Sequence, residues 1–129
     1  MKIKISYTIL ILISLMFFSC GFNIEKEIKY PYYIISVESD WNTNISIKLS
    51  DGNYEEVIPY KVIEYANIKG YIFAKQQDYD YREFTLNSQV NYYVLKIGNR
   101  SSKKMNLNEF KNLLIKENIL SSDIRWKKP

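Results

Sequence analysis

The sequence predicts an α+β fold, a small antiparallel meander of about five strands with one C-terminal amphipathic helix packed on one face. Three observations predict it. Stretches of alternating apolar and polar residues recur between turn residues, and a single apolar stripe at helical spacing follows them. The one cysteine cannot form an internal disulfide, so a packed core must hold the chain together. With 129 residues, 47% hydrophobic and 25% charged, there is material for one such domain, expected over 31–129.

The first strand is expected in "YYIISVES", where Tyr33, Ile35 and Val37 alternate with Tyr32, Ile34 and Ser36. The second is "NISIKLS", with Ile45, Ile47 and Leu49 on one face and Ser46, Lys48 and Ser50 on the other. Asp51-Gly52-Asn53 closes this pair as a turn, because Gly52 can take the positive φ that such turns need. "YKVIEYANIKGYIFAKQQ" reads as a hairpin of Tyr60–Ala66 and Tyr71–Gln77, with Gly70 left-handed in its loop. Pro59 precedes it, where a missing N–H costs no ladder bond. A polar loop is expected from Asp78 to Gln89, then a fifth strand in "NYYVLKI".

Asn106 is placed to cap a helix, with Glu109 at capping-box spacing and Leu107, Phe110, Leu113 and Leu114 along one face. The final "SSDIRWKKP" is expected as a short strand with Ile124 and Trp126 packed inward, rather than as a membrane-resting tail.

The chain before this domain has a different character. Lys2 and Lys4 precede an apolar run from Ile5 to Phe18, and the small Ser19 stands before Cys20. A positive end, a short apolar segment and a small-residue cleavage zone make a secretory signal, expected over 1–19. The run would reach only about 21 Å as a helix, short of a hydrocarbon core of roughly 30 Å. Removing it takes the formal net charge from +4 to +2. With so small a basic balance, and with secretion expected, nucleic acid is not an expected partner.

"LMFFSCG", Leu15 to Gly21, resembles the lipobox of bacterial lipoproteins, with Phe17 where that pattern has a leucine-like residue. The resemblance implies diacylglycerol on the Cys20 thiol and cleavage before it, with further acylation of the new amino group. Two or three chains anchor stably where one binds marginally. Membrane is thus an expected partner, through Cys20, and residues 20–30 are expected to carry the lipid and tether the domain. The resemblance implies that the protein is anchored in the cell envelope, at an outer membrane or the cell surface. Gly21 is not the aspartate that commonly retains such proteins at an inner membrane.

The residue inventory limits the chemistry. The chain has no histidine, and a lipidated Cys20 is no free thiol, so histidine-based nucleophile systems and histidine zinc sites are excluded. Asp78, Asp80 and Glu83 in "QQDYDYREF" form the densest acidic stretch, but the glycine and ordered acid spacing of a calcium loop are missing. Paired carboxylates could serve a glycosidase, yet residues 20–129 leave little room for a sugar cleft. No enzyme, cofactor or metal is expected.

Of the 12 tyrosines, 11 lie between Tyr30 and Tyr93. Tyrosine beside charged residues can build a sugar- or protein-binding face. The candidates are Tyr32 or Tyr33, Tyr92 or Tyr93, and above all Tyr79 and Tyr81 with Asp78, Asp80 and Glu83.

"IPYKVIEYANIKGYIFAKQQ", "YYVLKI" and "LNEFKNLLIKENI" together are similar to a family of small bacterial lipoproteins grouped as a domain of unknown function. That resemblance implies a proline-led hairpin, a tyrosine-pair strand and a short amphipathic helix, and carries no site residue. Two functions are consistent with these readings. One is a non-enzymatic, membrane-tethered module that binds an envelope protein, and the alternative is a glycan or small-ligand binder using exposed tyrosines.

Overall fold

The computed structural model of the protein describes residues 24–36 and 42–129. Cys20 and the expected signal lie outside them. The elements are β1 (Ile24–Lys29), β2 (Tyr32–Ser36), β3 (Thr43–Lys48), β4 (Tyr54–Ile58), β5 (Val62–Ile68), β6 (Tyr71–Asp80), β7 (Thr85–Lys96), β8 (Lys103–Met105) and α1 (Leu107–Lys116). The class is α+β, as expected, but the strands among the described residues number eight rather than about five. They form two four-stranded antiparallel meanders, a front sheet in the order β1-β2-β3-β4 and a central sheet in the order β5-β6-β7-β8.

The central sheet is covered on both faces. Toward the front sheet it presents Val62, Tyr65, Ile72, Ala74 and Leu95, which pack with Tyr32, Ile34, Ile45, Ile47 and Ile58. On its other face Ala66, Phe73, Val94 and Met105 meet Phe110 and Leu114 of α1, with Ile119 and Ile124 beyond it. The result is three layers: sheet, sheet, helix.

The three additional strands are short or charged. β1 occupies Ile24–Lys29, residues expected within the tether. Its sequence IEKEIK places Ile28 against the core and Lys26 over the Tyr65 ring, while Glu25 and Glu27 face the outer side beside Lys48 and Tyr33. Such a charged strand holds to the edge of a sheet because its partner, β2, supplies the burial. β4 buries only Val57 and Ile58, and β8 is three residues long. The Asp78–Gln89 segment is mostly strand as well, because β6 and β7 stay paired out to Asp80 and Thr85.

Local chemistry agrees with the sequence at the turns and the helix. Gly52 and Gly70 have φ of +86° and +79°, and Lys69 joins Gly70 in the left-handed region at +48°. The Asn106 side chain accepts from the Glu109 N–H at 2.9 Å while Glu109 accepts from the Asn106 N–H at 2.8 Å, a complete capping box. Phe110 and Leu114 are buried and Leu113 half-buried, whereas Leu107 stays exposed. Trp126 packs inward on Phe110, and Lys127 pairs with Tyr65 to extend the β5 edge.

The sheets are tied together where β7 ends. The Tyr32 hydroxyl donates to the Asn99 carbonyl and accepts from the Gly98 N–H, both at 2.8 Å. Ser102 donates to the Val57 carbonyl, and Arg100 pairs with Glu55 at 3.1 Å.

Phe110 touches Phe73 edge-on at 5.1 Å and Tyr92 in a stack at 4.7 Å, so it is the main bond between helix and sheet. Phe110→Ala should therefore lower stability by about 3–5 kcal/mol in denaturant melts. An unchanged melt would mean that the helix is not held by this ring.

Candidate functional site

The pairing of β6 and β7 outlasts that of their neighbours. β5 begins at Val62, which pairs with Gln76, and Lys61 exchanges backbone hydrogen bonds of 3.0 Å with Gln77. β8 reaches only Tyr92 on β7. Past Gln77↔Val90, β6 and β7 continue as a two-stranded arm through Tyr79↔Leu86 and Asp80↔Thr85. A bare hairpin is marginal in water, so side chains must hold it.

At its base lies a polar network in which the two amides, Gln76 and Asn91, are buried and the carboxylate, Asp78, is exposed. Gln76 is 0% exposed, and its amide nitrogen donates to the Tyr60 carbonyl at 2.7 Å and to Asp78 Oδ1 at 3.0 Å. Its amide oxygen accepts from Asn91 Nδ2 at 2.9 Å, and the same nitrogen donates to Asp78 Oδ2 at 3.3 Å. Lys104 Nζ approaches Asp78 Oδ2 to 3.8 Å. Each side chain thus satisfies another, which is the condition for amides to sit in a core at all.

Along the arm stands an aromatic cluster. The Tyr79 and Tyr81 rings meet edge-on at 4.9 Å and 77°, and the Tyr81 hydroxyl is hydrogen-bonded to that of Tyr60. That bond, with partial burial behind it, raises the pKa of Tyr81 above the usual tyrosine value. At the tip, Asp80 Oδ1 accepts from the Arg82 N–H at 2.8 Å and the Glu83 N–H at 3.3 Å, which folds the turn. Phe84 closes it with φ of +52° and is 78% exposed, and Tyr81 is 55% exposed.

The five residues singled out by sequence thus have three different situations. Tyr79 and Tyr81 come together, Asp78 belongs to the basal network, and Asp80 is engaged in the turn, with Glu83 exposed at the tip. Three contributors were missed: Tyr60, Phe84 and the Gln76–Asn91 pair. Pro59-Tyr60 just ahead of a strand, and two amides amid the apolar residues of β6 and β7, were the available signals.

The remaining tyrosine candidates divide. Tyr32 is a buried tie between sheets, and Tyr92 is stacked on Phe110. Tyr93 is half-buried toward the front sheet, where burial first, then Asp78 and Glu56, raise its pKa. Tyr33 lies on the outer side of the front sheet, edge-on to Tyr54 at 5.7 Å, with Lys48 Nζ 5.6 Å from each ring. Tyr33 donates to Glu27 at 3.3 Å and Tyr54 donates to Glu25. Among the described residues, no group of three or more acidic, Cys or His side chains is placed to hold a metal.

A family model described as "Protein of unknown function (DUF3997)" matches residues 29–128, which include the whole arm. No curated protein and no solved structure matches the chain.

Two outcomes follow from this geometry. Gln76→Ala takes away the buried donor to the Tyr60 carbonyl and the nearer acceptor of Asn91, which keeps only its longer bond to Asp78, and should cost about 1–3 kcal/mol. A loss below about 0.5 kcal/mol in a chemical melt would mean that the two amides are not buried. The hydrogen bond to Glu25 first, and burial second, push Tyr54 up to about 12. A tyrosine whose folded pKa is raised contributes stability that is whole below pH 10 and lost as pH climbs toward 12. In ultraviolet titration the difference between the wild type and Tyr54→Phe should have its midpoint near 12. A midpoint near 10 would deny the Glu25 bond.

Proposed function

We propose, from the premise that the chain belongs to this family of proteins of unknown function, that it is a lipid-anchored binding module without enzymatic activity. Cys20 carries the anchor, and the β6–β7 arm is the element that meets a protein partner in the cell envelope. The observation that carries this reading is the exposed aromatic tip. Tyr81 and Phe84 stand in water at the end of an arm held by side-chain bonds at its base and along its length.

Phe84 adds weight. A bulky residue with positive φ costs about 1–2 kcal/mol relative to glycine, and its ring contributes no core contact. Aromatic side chains on rigid elements are the usual anchors of protein interfaces. Small ligands instead take concave pockets. Grooves of about 390 Å³ by Thr43, Lys61 and Lys128 and of about 380 Å³ by Leu114 and Leu120 are lined by none of the tip residues. A convex tip suits a protein surface better than a sugar.

The anchor is supported by the residues from Lys2 to Cys20, and intact mass of protein extracted from native membranes tests it. The expected species begins at Cys20 with its diacylglycerol. A chain starting at Met1 with an unmodified thiol would overturn the anchor. For the arm, Phe84→Gly should keep or raise stability, by up to about 1 kcal/mol. It should also abolish stoichiometric co-purification of an envelope protein, as should Tyr81→Ser. The control Ile115→Ser, on the outer side of α1, should leave the complex intact. Loss with the helix variant and not with the arm variants would refute the arm, and saturable binding to a glycan panel would favour the alternative.

A further inference from the structure

The arm and the start of β1 leave the domain at the same end. In the front sheet Ile24 pairs with Ser36 and Ser36 with Thr43, so these residues form one terminal row. In the central sheet the matching row is Val62, Gln76 and Asn91. Thr43 lines one groove with Lys61, Val62 and Ile63. At the opposite end, Tyr32 reaches Gly98 and Asn99, beyond the last residues of β7. Both contacts align the sheets the same way, and the arm therefore continues outward from the end at which β1 begins.

The two reaches are comparable. From Gln76 to Asp80 the arm extends about 13 Å before its turn, at roughly 3.3 Å per residue. The chain from Cys20 to Ile24 spans at most about 14 Å. A lipid on Cys20 thus holds the arm's tip close to the plane of the headgroups. The tip itself is acidic, with Asp80 and Glu83 against Arg82 between Tyr81 and Phe84. Lys61 and Lys128 stand at the same end on the body of the domain, so the bilayer is the competing occupant. An anionic surface attracts those lysines but repels the acidic tip, and aromatic side chains flanked by Asp80 and Glu83 match a cationic protein surface instead.

We propose that the arm docks, at headgroup level, on the exposed surface of a membrane-embedded protein that presents cationic side chains around an apolar recess. This rests on the lipid anchor and on the arm as contact element, as argued above. The short tether then sets the affinity, because it keeps the tip at high effective concentration beside a partner confined to the same membrane.

The test places benzoylphenylalanine at Phe84 in the full-length chain, made in its native cells and irradiated there. The expected adduct joins the arm to a protein that stays in the membrane through an alkaline carbonate wash. Its yield should fall at least about fivefold when roughly 15 flexible Gly-Ser residues are inserted between Asn23 and Ile24. Glu83→Lys should lower it comparably, and the same probe at Leu120 should give none. An adduct with phospholipid alone would overturn the proposal in favour of a bilayer contact. A soluble partner, or a yield indifferent to the insertion, would overturn the membrane placement while leaving the arm as contact element. No adduct at all, or a Cys20 without lipid by intact mass, would instead sink the reading on which the proposal rests.

Discussion

Ile72, Phe73 and Ala74 are consecutive in β6 and all are 0% exposed, which means that side chains on both faces of the central sheet need an apolar cover. A strand whose side chains alternate faces can bury every residue only between two layers. The front sheet supplies one cover, and α1 with the chain that follows it supplies the other. Phe110 is the point of closest engagement on the helix side, flanked by Phe73, Tyr92 and Trp126. The remaining ties, Tyr32 to Gly98 and Asn99 and Lys127 to Tyr65, lock covers that this two-sided burial demands.

Where the covers end, the chemistry of β6 and β7 changes. Gln76 and Asn91 are still buried but polar, and they bond to each other, to Asp78 and to the backbone of Tyr60. This row hands the sheet over from an apolar interior to a ribbon in water. Beyond it no arm residue joins either apolar core, and tyrosine pairing replaces core packing. Through this transition an arm anchored in the buried strands β6 and β7 presents Tyr81 and Phe84 in a defined place.

Most of the fold was legible where apolar residues alternate cleanly. β2, β3, β5 and the inner halves of β6 and β7 follow their patterns, and the capping box of α1 is formed as its spacing requires. β1 was not legible because IEKEIK offers only two apolar residues, and its strand state depends on the neighbouring β2. β8, with Met105 alone buried, has no period to read. Two sheets rather than one also escaped, although "YIFA" is apolar on both faces and so hints at two covers. At the site, Tyr79 and Tyr81 were found by composition. Tyr60 lies far from them in sequence, and only the turn from front to central sheet brings its hydroxyl to Tyr81. Phe84 looked like an ordinary apolar residue, because a positive φ is not written in a side chain.

The arm is an ordered continuation of the buried central sheet, and native-state hydrogen exchange of the backbone amides is the test of that order. Cross-strand amides of the arm beyond Gln77 should exchange far more slowly than those of an unstructured chain, and those of Ile72–Gln76 and Asn91–Leu95 only on global unfolding. Arm amides exchanging at the unprotected rate, with the rest of β6 and β7 still protected, would contradict it.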